Sequence, residues 1–516
     1  MSPHKTTLEQ LKSTINPFDA FKQNLTGISR MENSKLPPKE DYLLKWNGLY
    51  LQYPAEKELY MLRLKLPNGL IDFNQFKSIN EILIYTKNDF LDLTTRQDIQ
   101  FRNLKLTYLP EIFNILDVAQ LTSTGACGDN IRNIVSCPLN TLNRHSAVSH
   151  LVRQITYYYL GNYDYARLPR KFKIAISNCE NNCTPIEIND IGILIVTENK
   201  ITKYCIFAGG GLALQPTAAS YLGYTDNIDH LLKVIDAIIQ IFNKRGNRNN
   251  RHKARLKYLI KELGFELFLE TVEKQASITL NKTRIFNDKQ HIRTDHTGIK
   301  RIHNTDKFFI TIPVMTGRLN LFQINNLLEV MNNIGSKSLI VTAFQNIIIS
   351  DIPETKLEIA KEILLKAFPD FETSFWKQRF ILCTGKEFCN KAIVETKNIA
   401  NKLINQLENS NIKTDLQISM SGCHNSCSQN LIADIGLQGT RINDSDGYKY
   451  GFNLLAGSNL NYDKTIFAKT VIKNIPSNKI YDTLTELLTD YEYKKPLYNS
   501  FSEYIQTEYI SQNCRM

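Results

Sequence analysis

The chain repeats itself, and the repeat constrains the fold more than any single residue does. Ile174–Gly192 (IAISNCENNCTPIEINDIG) aligns with Ile418–Gly436 (ISMSGCHNSCSQNLIADIG) at a constant offset of 244, and nine of the 19 positions are identical. The shared residues are Ile174, Ser177, Cys179, Asn181, Cys183, Ile188, Asp190, Ile191 and Gly192. Upstream, at offset 248, Tyr60–Gly69 (YMLRLKLPNG) follows the same alternation as Phe308–Gly317 (FFITIPVMTG). Thr94-Thr95-Arg96-Gln97-Asp98-Ile99 then matches Thr342-Ala343-Phe344-Gln345-Asn346-Ile347. Segments recurring in the same order imply a duplication into halves of about 245 residues. Whatever one half folds into, the other must approximate.

Within each half the hydrophobic period alternates between strand-like and helix-like. An alternating strand (Met61–Leu66, Phe309–Val314) leads into an amphipathic helix (Phe73–Tyr85, Leu321–Ile334) and another strand (Ile99–Leu106, Asn346–Ser350). A larger mixed unit follows, with helices over Asp229–Asn243 and Glu387–Glu408. Its strands span Lys173–Ser177, Gly192–Thr197 and Asp415–Met420. The expected class is α+β, internally duplicated into two pseudo-symmetric halves. The expected boundaries are a helical wrapping extension over 1–44, a small unit over 45–112 and a larger one over 113–285. A basic, polar linker over 286–306 precedes the second small unit, 307–365, and the second large unit with its tail, 366–516.

Composition removes several classes. With 42% hydrophobic and 22% charged residues the chain is neither disordered nor collagen-like. No apolar run approaches the ~18–20 residues of a membrane helix. Met1–Pro17 shows no secretory pattern. The expectation is a soluble, cytoplasmic chain with no membrane partner. Lys and Arg number 62 against 51 Asp and Glu, a net +11 that favours anionic ligands or acidic partners. Nucleic acid is the usual first guess for such a charge. The basic residues are dispersed, however, and the one dense run, Lys244–Lys257, reads as a solvated helix face with its leading loop. A nucleic-acid binder is the alternative from a different class, and no nucleic-acid partner is expected.

Ten cysteines (Cys127, Cys137, Cys179, Cys183, Cys205, Cys383, Cys389, Cys423, Cys427 and Cys514) are many for a chain in a reducing compartment, and they point to metal or redox chemistry. In the second half the spacing is C-x5-C (Cys383, Cys389), then C-x3-C (Cys423, Cys427). Structural zinc favours two to four residues within each pair, so the longer arm fits it poorly. Four thiolates from two loops suit an iron–sulfur cubane, one sulfur per iron. Spacing alone leaves the cluster, zinc and unliganded thiols all open.

The pair Cys383-Thr-Gly-x3-Cys389 and Ser421-Gly-Cys423-x-Asn-Ser-Cys427, followed by Ala433-Asp434-Ile435-Gly436, resembles the signature of the nitrite and sulfite reductases. The likeness continues through Lys45-Trp46-Asn47-Gly48-Leu49-Tyr50, Leu93-Thr94-Thr95-Arg96-Gln97 and Cys127-Gly128-Asp129-Asn130-Ile131-Arg132-Asn133. It extends to Leu168-Pro169-Arg170-Lys171-Phe172-Lys173 and Gly209-Gly210-Gly211, so that it spans roughly residues 40–460. That resemblance implies a ferredoxin-like half-domain in each small unit and two cofactors, sirohaem and a 4Fe-4S cluster. It implies that Cys383, Cys389, Cys423 and Cys427 ligate the cluster and that Cys427 also bridges to the sirohaem iron. His424 reads as a turn residue, because a cysteine already fills the proximal position.

The first half keeps Cys179 and Cys183 but lacks a matching C-x5-C: Ala126 falls opposite Cys383, and Arg132 opposite Cys389. Its cysteines read mainly as buried free thiols left by duplication, with a second metal site from Cys127, Cys137, Cys179 and Cys183 as the minor alternative. Cations stand where ligands were lost. Arg96 matches Phe344, and Lys171 and Lys173 match Asp415 and Gln417. By the resemblance, Arg96, Arg132, Lys171 and Lys173 line the distal face of the sirohaem and hold a small oxyanion. Charge-assisted hydrogen bonds of ~1.5–3 kcal/mol each can offset the anion's desolvation. Arginine orients, whereas lysine can relay protons. Sirohaem is a polycarboxylate, so Arg102, Arg170 and Arg255 are further candidates by charge. Gly209, Gly210 and Gly211 would let the backbone approach the macrocycle. The implied activity is six-electron reduction of sulfite to sulfide, with nitrite to ammonia as the alternative. No Gly-x-Gly-x-x-Gly follows a strand, so electrons are expected from another protein; Lys45-Trp46-Asn47-Gly48-Leu49-Tyr50 resembles the ferredoxin-dependent branch, which with the +11 charge implies a ferredoxin-like donor.

Overall fold

The computed structural model describes residues 7–32, 36–142, 146–286, 293–303, 305–444, 447–462 and 464–511. Cys514 lies outside the described residues, as do positions 287–292 and 304 of the expected linker. Among the described residues the strands form four five-stranded sheets, two of each kind. One small sheet is ordered Leu49–Leu51, Tyr60–Arg63, Ile99–Leu104, Phe90–Leu93 and Arg318–Asn320, antiparallel throughout. Its counterpart is ordered Gly298–Arg301, Lys307–Ile312, Ile347–Pro353, Ser338–Val341 and Leu70–Asp72. The last strand of each sheet comes from the other half.

This strand exchange has local causes that recur in both halves. Asn68 and Thr316 take left-handed backbone at φ 57° and 56°, turning the chain out of its own sheet and towards the partner half. Asp72 and Asn320 then cap the following helices, each with a glutamine three residues on, Gln75 and Gln323, that bonds back to the cap. Those helices are Phe73–Tyr85 and Leu321–Ile334, with the bounds that the periodicity gives. They bury Phe76, Ile79 and Ile82 from one half, and Ile324, Leu327 and Val330 from the other, in a single core. Gln97 Nε2 donates to the Val341 carbonyl at 3.0 Å, and Gln345 Nε2 returns the bond to Leu93 at 2.8 Å. The halves are interlocked.

The two large sheets also share one plan. Val135–Ser136, Ile174–Ser177 and Ile191–Glu198 run parallel, and Ile201–Ala208 and Ser220–Thr225 complete the sheet antiparallel. Phe380–Leu382, Ile418–Ser421, Ile435–Asp444, Gly447–Ala456 and Lys469–Pro476 repeat that order. Even a single bond is duplicated: Lys173 N donates to Asp190 Oδ2 and Gln417 N to Asp434 Oδ2, both at 2.8 Å.

Three expectations change. The helix expected over Glu387–Glu408 starts only at Lys397. The preceding stretch is a loop whose backbone bonds reach sideways, Ile393 N to the Gly422 carbonyl at 2.7 Å, which sets Cys389 near the other cysteine loop. The expected linker is not a loose connector: Arg293, Asp295 and His296 are buried, and Gly298–Arg301 is a strand. The basic run is a solvated face only in part: Lys244, Arg245, Arg251 and Lys253 are exposed, but Arg248 pairs with Glu9, Arg251 with Asp129 and Arg255 with Asp190. The N-terminal helices Leu8–Thr14, Pro17–Ser29 and Pro38–Trp46 pack on the first half, where Lys12 meets Asp129 at 3.0 Å and Trp46 Nε1 donates to the Ala166 carbonyl at 2.7 Å.

Candidate functional site

Four thiols converge on one side of the interface between halves. Cys383 follows the strand Phe380–Leu382, and Cys423 follows its parallel neighbour Ile418–Ser421, so adjacent strand ends bring their loops together. Gly385 (φ 67°) and Gly422 are needed here. A Cβ on Gly385 would meet Thr396 N at 2.6 Å, and one on Gly422 would meet the Val394 carbonyl at 2.8 Å. Their N–H groups donate to Cys383 Sγ at 3.3 and 3.1 Å, and Asn425 Nδ2 to Cys423 Sγ at 3.4 Å. Burial, reinforced by the Cys427 charge, pushes the Cys383 thiol up to about 12, and burial also raises Cys423. Such thiols become thiolates only against a cation that neutralises them, and backbone N–H donors beside sulfur are what an iron–sulfur cluster uses. The donor set fits a 4Fe-4S cluster. Cys427 is exposed, as is its neighbour His424.

Opposite Cys427 stand the cations of the first half. Thr95 Oγ1 donates to the Cys427 carbonyl at 3.2 Å, tying the Thr94–Asp98 turn to the cysteine loop. Lys171 and Lys173 enter the strand Ile174–Ser177 two residues apart, so both side chains leave the same face. Among the described residues neither ammonium has a hydrogen-bond or ion-pair partner. Burial, then Arg255, lowers Lys171 to about 8, with Cys427 opposing. Burial, then Arg96 and Lys171, takes Lys173 well below the ordinary lysine range. Two crowded, unmatched ammonium groups are a site waiting for negative charge.

The remaining candidates divide. Arg96 lies in this group, but its guanidinium donates to the carbonyls of Asn133 and Ile174 and, at 2.8 Å, to Asn189 Oδ1. Arg132 clamps its own loop through the carbonyls of Ala126 and Gly128 at 2.8 and 2.7 Å, with its Nε buried and unpartnered. Arg255 borders the lysines while holding Asp190 at 2.7 Å, and Arg170 reaches Asp129 at 3.4 Å. Arg102 is committed elsewhere. It binds Asp92 at 2.9 Å, in a buried knot where Arg318 and Lys397 also reach that carboxylate, and it touches Thr384 beside Cys383. Gly209 (φ 91°) and Gly210 serve close packing within the chain, since a Cβ on Gly210 would meet the Glu187 carbonyl at 2.2 Å. Gly211 alone borders side chains of the site, those of Arg255 and Lys257.

Sequence reasoning missed Arg63 and Lys65. Arg63 Nε is buried without a partner and feels the charges of Cys127, Asp98, Tyr50 and Cys427; Lys65 is lowered to about 8 by burial. The signal was present in Met61-Leu-Arg63-Leu-Lys65-Leu66, where two cations alternate with leucines and so share one face. Lys65 Nζ donates to the Ile131 carbonyl at 3.1 Å and Asp98 lies beside both cations, so Lys171 and Lys173 are the cations left to suit a bound anion.

A duplicated α+β chain with four thiols suited to a cluster on one side and lysines without partners on the other has the make-up of an iron–sulfur oxidoreductase for an anion. Residues 127–280 and 379–506 match the family described as nitrite and sulphite reductase 4Fe-4S domain, and residues 53–119 match the nitrite/sulfite reductase ferredoxin-like half domain. A ferredoxin–nitrite reductase of Leptolyngbya laminosa is 30% identical over 514 residues, covering 96% of this chain and 99% of the relative. Sulfite reductase (ferredoxin) 2 of Mycolicibacterium paratuberculosis is 28% identical, covering 92% and 87%. The solved structure of the Mycobacterium tuberculosis NirA protein superposes with a TM-score of 0.88 at 26% identity, over 98% of this chain and 97% of that one. The chain belongs to the nitrite and sulphite reductase family, whose cofactors are sirohaem and a 4Fe-4S cluster. No helix among the described residues is long and apolar enough to cross a membrane.

Proposed function

We propose that this enzyme reduces sulfite to sulfide with six electrons delivered by a ferredoxin-like protein. In this reading Cys383, Cys389, Cys423 and Cys427 hold the cluster, and Cys427 joins it to the sirohaem. The observation that carries the reading is the pair of unpartnered ammonium groups, Lys171 and Lys173, facing Cys427. The bound cofactors supply the electrons and the iron at which the anion is reduced. The residues of the chain supply charge and protons. An anion beside Lys173 favours the charged form of that amine, against the burial that disfavours it. Lys171, near 8, can release a proton at neutral pH and be recharged. Arg96 and Arg132, held by backbone carbonyls, fix the field in which the lysines work.

Fully ionised sulfite carries more charge than nitrite, so adjacent lysines favour it. Nitrite is the second reading, supported by the ferredoxin–nitrite reductase relative that aligns along 96% of this chain. The test is kcat/KM for sulfite and for nitrite with a chemically reduced donor on one preparation. A higher value for sulfite is expected; a higher value for nitrite overturns the choice of substrate and leaves the cofactor assignment standing.

A further inference from the structure

Away from the cluster, four more metal-binding side chains meet. Cys137 Sγ lies 3.1 Å and Cys179 Sγ 3.4 Å from His296 Nε2, and with Cys183 the four ligand atoms lie within 4.8 Å of one another. They come from three places in the chain. Cys137 ends the strand Val135–Ser136; Cys179 and Cys183 sit on the turn after Ile174–Ser177; His296 lies in the segment leading to Gly298–Arg301. That segment is pinned. Thr294 N donates to the Asn181 carbonyl at 3.2 Å, and Asp295 Oδ2 accepts from Thr342 Oγ1 and Asn346 Nδ2, both at 2.9 Å. Cys127, the fourth thiol considered from the sequence, is elsewhere, facing the Gly48 carbonyl.

The dimensions select the ligand. Tetrahedral zinc with Zn–S of about 2.3 Å and Zn–N of about 2.0–2.1 Å separates its sulfurs by about 3.8 Å and sulfur from nitrogen by about 3.5 Å. A cubane binds its four ligands on four different irons and needs them further apart than one ion does. The group is walled by Phe344 and Ile381, with Cys137, Cys183 and His296 buried and Cys179 half-buried. Three thiolates around one dication leave one net negative charge. Arg293 is a cation close by: it is 7% exposed, its Nε and Nη2 are buried without partners, its Nη1 donates to Gln417 Oε1 at 3.3 Å, and its guanidinium lies over the ring of Phe344 that walls the pocket.

We propose that Cys137, Cys179, Cys183 and His296 bind a structural zinc ion. The duplication gives the site its origin. Cys179 and Cys183 are the counterparts of Cys423 and Cys427, so the first half keeps the thiol pair of the cluster and uses it for a mononuclear metal. With no position left open for water or substrate, the ion clips the connecting segment to the first half and takes no part in the reduction.

The test is elemental analysis of the cofactor-loaded enzyme, purified without a histidine tag and without added metal. About one zinc per chain is expected beside the iron of the cofactors. His296→Ala and Cys179→Ser should lose the zinc and keep iron and visible absorbance. X-ray absorption at the zinc edge of the unaltered enzyme should show three sulfurs and one nitrogen, a measurement that stands even if a variant fails to fold. Zinc-free enzyme, iron in place of zinc, a disulfide among the three cysteines, or zinc retained by a folded His296→Ala variant each overturns the proposal.

Discussion

Replacing Asp92 by Asn keeps the shape of the side chain and removes the charge that three cations share. Arg102 Nε lies 2.9 Å, Arg318 Nε 2.8 Å and Lys397 Nζ 2.9 Å from its oxygens, and Asp92, Arg102 and Lys397 are all buried. Arg318 would still have Glu387 at 3.0 Å, but among the described residues Arg102 and Lys397 would face no carboxylate. Breaking a buried pair costs about 3–5 kcal/mol. Lys397, already lowered by burial, can shed its proton, so the lower end of that range applies. The knot joins the strand Phe90–Leu93 to Arg318–Asn320 of the other half. The assay is therefore hydrogen exchange of those paired amides, which should quicken by about 10²-fold, at ~1.4 kcal/mol per factor of ten. Through Arg102 and Thr384 the Cys383 loop should also loosen, read as faster loss of cluster absorbance in air. The pH dependence has a definite sign. Burial alone would raise the Asp92 carboxyl, but Lys397, Arg102 and Arg318 outweigh it and hold it far below the usual range. A depressed carboxyl contributes fully above its unfolded value of about 3.9 and loses that contribution as pH falls towards the folded value. The wild-type advantage should be flat at neutral pH and shrink only below about pH 4. Exchange within about threefold of wild type at pH 7 would refute the argument that these cations depend on Asp92.

Cys427→Ser should uncouple cluster from sirohaem, read as loss of turnover with altered visible and electron-spin-resonance spectra, while the zinc content stays unchanged; unaltered spectra would move the bridge to another residue. Lys173→Asn should lower kcat/KM for sulfite roughly ten- to hundredfold, the equivalent of one charge-assisted contact of ~1.5–3 kcal/mol, and lower it far less for nitrite; equal losses would remove Lys173 from substrate selection. Turnover with reduced ferredoxin should fall steeply as salt shortens the Debye length from ~10 Å at 0.1 M to ~3 Å at 1 M, whereas turnover with a small viologen dye should change little. Equal responses would sink the proposal of an acidic protein donor for this +11 chain.

The sequence alone carried everything that is encoded within a few neighbouring residues or copied between the halves. The nine identities at offset 244 implied two similar halves, and the fold has two sheets of the same order with matching bonds to Asp190 and Asp434. Hydrophobic period gave the helices Phe73–Tyr85 and Leu321–Ile334 residue for residue. The resemblance named four thiols as the cluster ligands, and the fold brings their loops together. Tertiary structure decided which charges meet. Arg102, Arg318 and Lys397 reach Asp92 from 10, 226 and 305 residues away, and only that convergence withdraws Arg102 from the free cations and leaves Lys171 and Lys173 among them. His296 joins Cys137 across 159 residues, from a stretch whose polar composition reads as a solvated linker. Hydrophobic period and capping are properties of a short segment and survive any global arrangement. The partner of a buried charge or thiol is set by where loops and exchanged strands deliver it, because burial makes such a group depend on whichever opposite charge, donor or metal the fold places beside it.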